Sequence, residues 1–161
     1  MNTDFFRLHP VMSLLILIGC WSLIAACSTP AKYPLIKGST ETFADNAIVS
    51  TALGQAVTFE QLVADLAAVQ VVYIGETHTS KAHHAVQLQL IQALHSKHPS
   101  MSIAVEMFDR SYQHVLDDWS NGRLNREAFL RQTHWYANWR YDFELYAPIF
   151  EFAKENQIPL V

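Results

Sequence analysis

The stretch that decides the fold is VVYIGETHTSKAHHAVQLQLIQALHSKHPSMSIAVEM, residues 71–107. It opens with the apolar run Val71–Ile74, which is rich in β-branched residues and typical of a strand buried on both faces. A helix is predicted over residues 80–97, and Ser102–Val105 has the pattern of a second strand. Strand, long helix and strand in this order form a βαβ unit. We therefore predict parallel strands joined by a right-handed crossover.

Shorter elements flank this unit on both sides. Ala47–Ser50 reads as a short strand, and a helix over residues 58–68 is predicted by the capping-box pair Thr58 and Gln61. Ile158–Val161 resembles the opening of another buried strand, so we expect the C-terminal half of the domain to be missing from this chain. The predicted fold class is α/β, with a partly parallel sheet and crossover helices. Three more helices are predicted at Arg110–Trp119, Asn125–Thr133 and Leu145–Asn156.

The N-terminal residues have the order of a secretory signal. An apolar run, Val11–Ile18, is too short for a membrane span and is followed by small residues. The tetrapeptide Ile24-Ala25-Ala26-Cys27 resembles a bacterial lipobox, in which the cysteine is acylated, for example with palmitate, and becomes the N-terminus. Ser28 follows the cysteine in place of aspartate, which favours the outer membrane. The alternative is an uncleaved anchor with an incidental cysteine.

These features divide the chain into three parts. Residues 1–26 are predicted to be a lipoprotein signal peptide, residues 27–46 a tether, and residues 47–161 the N-terminal part of an α/β domain. We thus expect a bacterial membrane-anchored lipoprotein that is lipidated on Cys27. Acyl chains bind a membrane with about 0.8 kcal/mol per buried methylene, so a multiply acylated N-terminus would hold the domain there.

Composition excludes several classes of protein. The chain has 161 residues, of which 50% are hydrophobic and 16% are charged, which suits a globular domain. Its formal net charge of −4 offers no basic surface for nucleic acid. Two cysteines cannot build a disulfide scaffold or a four-cysteine zinc site. The chain also lacks a serine or cysteine nucleophile elbow, which argues against a covalent acyl-enzyme route.

Side chains that could bind a ligand or transfer a proton follow the two predicted parallel strands. Glu76 and His78 come just after the first strand, and Glu106 comes just after the second. Because ligands of open α/β sheets bind beyond the carboxyl ends of the strands, we expect these three side chains to converge. The alternative is that backbone amides or an arginine, such as Arg110 or Arg140, satisfy each carboxylate. A lone buried carboxylate costs several kcal/mol, which favours the paired, functional interpretation.

Further histidines lie at the start of the crossover helix. His83 and His84 point about 100° apart on a helix, so at most one of them can face the same cleft. The other four histidines downstream are predicted to be surface or core-edge residues. They are His95, His98, His114 and His134.

A dense aromatic group occupies the last third of the chain. Most of its members should pack in the core, but tyrosine and tryptophan could also wall a flat apolar cofactor pocket. A tyrosinate can ligate ferric haem. The group consists of Trp135, Tyr136, Trp139, Tyr141, Phe143, Tyr146 and Phe150.

Several blocks together resemble a known family. The blocks are residues 54–94, then IAVEMFDR, then the region from Trp139 to Tyr146-Ala147-Pro148, and finally AKENQIPLV. In this order they resemble the ChaN-like haem-binding lipoproteins, which group with the Tiki-type proteins and resemble the erythromycin-esterase group. The resemblance runs from Gly54 to the end and includes a GxxH motif, Gly75–His78.

The resemblance implies a haem-binding protein of iron uptake at the cell surface, with haem held by tyrosine and histidine. On this haem-binding interpretation, the residues predicted to bind haem are His78, His83, His84 and Tyr146. A hydrolase of the Tiki or erythromycin-esterase type is the alternative, with Glu76, His78 and Glu106 as catalytic residues that activate water with or without a divalent metal. Carboxylates favour hydrolysis, whereas the lipoprotein signal, the aromatic group and the resemblance favour a binding protein over an enzyme. A remnant that binds nothing is the third interpretation.

The expected partners follow from this interpretation. They are haem, the membrane through the lipid anchor, and either a second copy of the chain or other transport components. Nucleic acid is not among them.

Overall fold

A small hairpin and a larger helical unit make up the described chain. A computed structural model describes residues 42–161, and the chain separates into two units between Val57 and Thr58. In the first unit, strands β1 (Ile48–Ser50) and β2 (Gln55–Val57) form an antiparallel ladder in which Ile48 lies opposite Val57. Gly54 has a φ of 67°, a left-handed value that the turn requires and that glycine adopts without strain. The strand predicted at residues 47–50 is confirmed.

The predicted signal peptide, residues 1–26, and Cys27 lie outside the described residues. Residues 27–41 of the predicted tether also lie outside the described residues. Among the helices of residues 42–161, none is long and apolar enough to cross a membrane.

The second unit is mostly helical, and local capping sets where its helices begin. Thr58 and Gln61 form the predicted reciprocal capping box, and the Ser80 hydroxyl accepts from the His83 amide at 3.3 Å. All five predicted helices are confirmed in place, although residues 110–112 form a 3₁₀ turn before the third of them starts. The helices are α1 (Phe59–Ala67), α2 (Lys81–Lys97), α3 (Gln113–Ser120), α4 (Arg126–Gln132), α5 (Trp135–Asn138) and α6 (Ala147–Glu155).

Aromatic side chains form the core of this unit. Helix α6 packs against α2 and α3, and its Phe150 is 1% exposed. Trp119 and Trp135 are completely buried and donate their indole N–H groups to the backbone oxygens of Phe150 and Tyr141, both at 2.8 Å. Each buried ring therefore combines a large apolar surface with a satisfied polar group.

The predicted parallel strand pair does not form as a ladder. Val71–Ile74 is extended, but within the described residues its backbone makes no strand pairing, and Ser102–Val105 does not pair with it. Burial alternates along the segment: Val71 and Tyr73 are 65% and 94% exposed, whereas Val72 and Ile74 are half-buried. The prediction of a strand buried on both faces is therefore wrong. A helix satisfies its backbone internally, but a strand can do so only through a neighbouring strand.

One parallel contact does connect distant parts of the unit. The Ile103 amide donates to the Pro159 oxygen, and the Val161 amide donates to the Ile103 oxygen, both at 2.9 Å. Ile103 and Leu160 thus form an isolated parallel bridge. The fold of residues 42–161 is mixed α/β and mostly helical, and its parallel component is limited to this bridge.

Candidate functional site

The candidate site lies where the extended segment ends, before helix α2. Glu76, His78 and Glu106 each present a ligand atom there, and these atoms lie within 4.8 Å of one another. The structure therefore brings together the three side chains expected from the strand ends, although the ladder itself is missing. Their depths differ: the Glu76 side chain is 7% exposed, the His78 side chain 37%, and Glu106 lies at the surface.

Glu76 is the buried centre of the site, and its two oxygens have different surroundings. Oε1 accepts a short hydrogen bond from His78 Nδ1 and a second one, at 3.2 Å, from the Tyr146 hydroxyl. Oε2 has no hydrogen-bond partner, and the His84 Nε2 lies 3.5 Å from it. Neither Arg110 nor Arg140 forms an ion pair within residues 42–161.

His78 lies between two aromatic rings. Its ring centroid is 4.8 Å from that of Trp139, in an edge-on arrangement, and 4.7 Å from that of Tyr141. Because Nδ1 is engaged by Glu76, the second ring nitrogen, Nε2, is the one left for a ligand. Within the described part of the chain no hydrogen bond reaches Nε2. His78 is thus an anchored, partly exposed imidazole in an aromatic setting.

His84 is the histidine of the adjacent pair that faces inward. It is 4% exposed, and its ring contacts Tyr146 at a centroid distance of 4.4 Å. Nδ1 lies 3.1 Å from the Gln87 side-chain oxygen, and Nε2 lies 3.1 Å from the His78 carbonyl oxygen. The ring of His84 is thus held at both of its nitrogens, by Gln87 on one side and by the backbone of His78 on the other.

His83 has a different role. It is exposed, and its Nδ1 accepts a hydrogen bond from the Thr77 amide at 2.9 Å. This bond holds the turn that carries Glu76 and His78. Gln87, one turn along α2, donates to the Ile74 oxygen at 3.4 Å and ties the same segment to the helix.

Tyr146 is a buried residue of the site, and it lies directly before the first residue of α6. It is 2% exposed, and its hydroxyl lies 3.2 Å from Glu76 Oε1 and 3.4 Å from the His78 oxygen. Burial is the main reason why the pKa of Tyr146 is raised to about 12, and the charge of Glu76 raises it further. The nearby Trp139 indole acts in the opposite direction. Tyr146 is therefore a neutral hydroxyl that donates to the carboxylate.

Two buried polar atoms at the site have no hydrogen-bond partner in the described structure, Glu76 Oε2 and Trp139 Nε1. Buried donors and acceptors are nearly always satisfied, because an unpaired one costs from about 1 to 3 kcal/mol. Both belong to the cluster around His78 and Tyr146. They mark it as a place where a bound group would complete the bonding.

The side chains of the site are chemically suited to two kinds of ligand. A partly exposed imidazole flanked by indole and phenol rings suits the iron and the flat apolar face of a porphyrin. Two carboxylates and an imidazole suit a divalent cation.

Some residues of the site carry only weak signals in the sequence. Trp139 and Tyr141 belong to the aromatic group, but nothing in their spacing distinguishes them from the core rings of Trp135 and Phe143. Gln87 could have been found as the partner three residues after His84 on a helix. The remaining histidines lie elsewhere: His95 contacts Phe152, His98 bonds the Ala67 oxygen, and His114 and His134 are exposed.

Comparison with known proteins gives one finding. A family model described as "Haem-binding uptake, Tiki superfamily, ChaN" matches residues 62–161, which include every residue of the site. Neither the comparison with curated proteins nor the one with solved structures found a match.

Proposed function

Because the chain belongs to the haem-binding uptake family of the Tiki superfamily that includes ChaN, we propose that it is a haem-binding lipoprotein of iron or haem uptake at the bacterial cell surface. The observation that carries the proposal is His78, an imidazole with one anchored and one free nitrogen between two aromatic rings. Haem, when bound, supplies an iron that accepts a nitrogen or oxygen ligand.

Among the residues nominated for haem, His78 is the one we assign to the iron. Its ring is 37% exposed, whereas His84 and Tyr146 are 4% and 2% exposed and are engaged with Glu76 and its neighbours. We assign His84 and Tyr146 to holding the Glu76 carboxylate, and His83 to holding the turn through the Thr77 amide. Trp139 and Tyr141 would contact the porphyrin face.

Titration of the purified chain with hemin tests this function. We expect a saturable change in the Soret band with one hemin per site, and a shifted spectrum with at least tenfold weaker binding in His78→Ala. The matched control is His98→Ala, because His98 lies at the far end of α2, about 20 Å along the helix from His84. Equal hemin binding by the wild type and His78→Ala would contradict the assignment of the ligand.

The placement at the cell surface rests on the lipobox-like Ile24-Ala25-Ala26-Cys27. Labelling of cells with a palmitate analogue should mark the wild type, and Cys27→Ala should lose both the label and membrane retention. The matched control is Cys20→Ala, which removes the other cysteine. Density fractionation of the membranes should find the labelled protein in the outer-membrane fraction. Equal labelling of Cys27→Ala would refute the anchor.

A second copy of the chain, or another transport component, is the proposed macromolecular partner. A flat ligand that is bound on a partly exposed imidazole leaves one of its faces available to such a partner. Light scattering with and without hemin tests for the second copy, and we expect the mass to double when hemin is bound. A mass that stays monomeric would leave a transport component as the proposed partner and would exclude the homodimer.

A metal-dependent or carboxylate- and histidine-dependent hydrolase is the second candidate function. It is favoured by two observations: the ligand atoms of Glu76, His78 and Glu106 lie within 4.8 Å of one another, and Glu76 Oε2 is buried without a hydrogen bond. A divalent cation bound there would lower the pKa of a bound water and supply a nucleophile near neutral pH.

Calorimetry with Zn²⁺ or Mn²⁺ distinguishes the two functions. Both forms of the hydrolase require hydrolysis of ester or peptide substrates, and the metal-dependent form also requires cation binding that Glu106→Gln weakens at least tenfold. The exposed Glu155 provides a control, Glu155→Gln. Absence of both cation binding and hydrolysis, with hemin binding intact, would rule out the hydrolase.

A further inference from the structure

We propose that Glu76 is the positioning residue that makes this site select ferric rather than ferrous porphyrin, because it fixes the tautomer of His78. The inference rests on the proposed haem-binding function and deepens it by naming the oxidation state of the ligand. It concerns a carboxylate that contacts the imidazole and not the iron.

The first step is the direction of the hydrogen bond between the two side chains. A carboxylate can only accept, so the proton of the short bond lies on His78 Nδ1. Glu76 is 7% exposed, and water therefore competes little for this bond. A ring with its single proton on Nδ1 presents a lone pair on Nε2, which is the nitrogen that would bind a metal ion.

The second step is that the surroundings hold Glu76 in place. The Tyr146 hydroxyl donates to the same oxygen at 3.2 Å, and His84 Nε2 lies 3.5 Å from the other oxygen. Both of these residues are almost fully buried in the helical unit. The position of the carboxylate is therefore set by the core and does not depend on a ligand.

The third step is the electronic effect on a bound iron. A histidine ligand that donates its other N–H to a carboxylate is more basic and gives more electron density to the metal. Such density stabilises the higher oxidation state, and hydrogen bonding to the axial ligand is one of the ways in which a protein sets the potential of haem. Tyr146 donates to the same Glu76 oxygen and so moderates this effect.

The tautomer can be measured without haem. In the ¹⁵N-labelled chain, long-range nitrogen–proton spectra should show His78 with protonated Nδ1 in at least tenfold excess. Glu76→Gln should reduce this excess at least tenfold. Glu127→Gln is the matched control, because Glu127 is 87% exposed and, among residues 42–161, pairs only with Arg131, at 3.5 Å.

The second measurement is the reduction potential of the hemin complex. Glu76→Gln should lower the preference for ferric over ferrous porphyrin at least tenfold, which equals a rise of about 59 mV for one electron. Tyr146→Phe leaves Glu76 a stronger acceptor and should shift the potential in the opposite direction. A merely structural role of either residue would not give shifts of opposite sign.

The outcomes separate this inference from the function on which it rests. If the wild type binds no hemin, the proposed function fails, but the tautomer measurement on the haem-free chain still decides the role of Glu76. If hemin binds, and Glu76→Gln matches Glu127→Gln in both tautomer and potential, the positioning role is refuted and haem binding stands. Circular dichroism and thermal melting verify that each variant folds. Should Glu76→Gln not fold, an unchanged or raised potential in Tyr146→Phe would refute the proposal.

Discussion

The helical core and the extended segment Val71–Ile74 use the same kinds of apolar residue with opposite results. Trp135 and Phe150 are buried to 1% exposure or less by rings from neighbouring helices, whereas Tyr73 is 94% exposed. The helices satisfy their own backbones, so side-chain packing is all that they need from one another. An extended segment needs a neighbouring backbone as well, and outside the β1–β2 hairpin the described residues supply one only at the bridge between Ile103 and Leu160.

The core side of this comparison should show the largest effect. Trp135→Ala removes a completely buried ring that contacts Phe143 at 4.9 Å and donates to the Tyr141 oxygen. We expect a loss of about 3–5 kcal/mol in the free energy of unfolding, measured with urea. Tyr136→Ala, on the same helix but at a 59% exposed residue, should change it by less than about 0.5 kcal/mol. Similar losses for both variants would break the comparison.

Tyr146→Phe tests the connection between the core and the site. It removes the hydroxyl that donates to the buried Glu76 and keeps the ring that packs on His84. We expect a loss of about 1.5–3 kcal/mol near pH 7, because the bond involves a buried charged group. Tyr141→Phe is the matched control, since within the described residues Tyr141 is bonded only through its backbone oxygen, which accepts from the Trp135 indole. No loss in Tyr146→Phe would mean that the site is not supported by this bond.

The same variant gives a prediction on pH. The pKa of Tyr146 is raised from an ordinary value near 10 to about 12, so the folded state holds this proton more tightly than the unfolded state. The resulting stability is fully present below pH 10 and is lost as the pH rises towards 12. Urea unfolding at several alkaline pH values should therefore show the wild type and Tyr146→Phe converging. Parallel pH profiles of the two proteins would contradict this.

Thr58→Ala tests whether local capping accounts for the independence of the helices. The variant removes the hydroxyl that accepts from the Gln61 amide at 3.2 Å in the capping box of α1. A loss of about 1 kcal/mol in the free energy of unfolding is expected. Gln92→Ala, on the exposed side of α2, serves as the control and should have little effect.

The smallest effect on stability is expected at the extended segment. Tyr73→Ser should change the free energy of unfolding by less than about 0.5 kcal/mol and raise the solubility of the chain, because it removes an exposed aromatic side chain. The adjacent Val72 is half-buried, so Val72→Ser should cost about 1 kcal/mol. Equal changes in the free energy of unfolding at the two positions would mean that the alternating burial does not contribute to stability.

The same contrast explains what could be predicted from the sequence. The starts of the helices could be predicted because capping residues such as Thr58 and Ser80 bond to backbone amides only three residues away. The strand pairing could not be predicted, because apolar β-branched runs indicate extended backbone but not the strand with which it pairs. The convergence of Glu76, His78 and Glu106 was expected from strand ends and is present, since it needs only that the two segments end near one another. The hydrogen bond of Tyr146 to Glu76 joins residues 70 positions apart and has no signal in a single sequence.

The bridge between Ile103 and Leu160 also has a kinetic consequence. Capped helices form from contacts between near neighbours, within microseconds, whereas the bridge must close a long loop before it gains any bond. We therefore expect the helices to assemble early and Ile158–Val161 to dock after the rate-limiting step of folding. Substitutions in Leu160 should then accelerate unfolding and leave the folding rate almost unchanged. The unfolding rate of the chain would then depend on Ile158–Val161, whereas its folding rate would not.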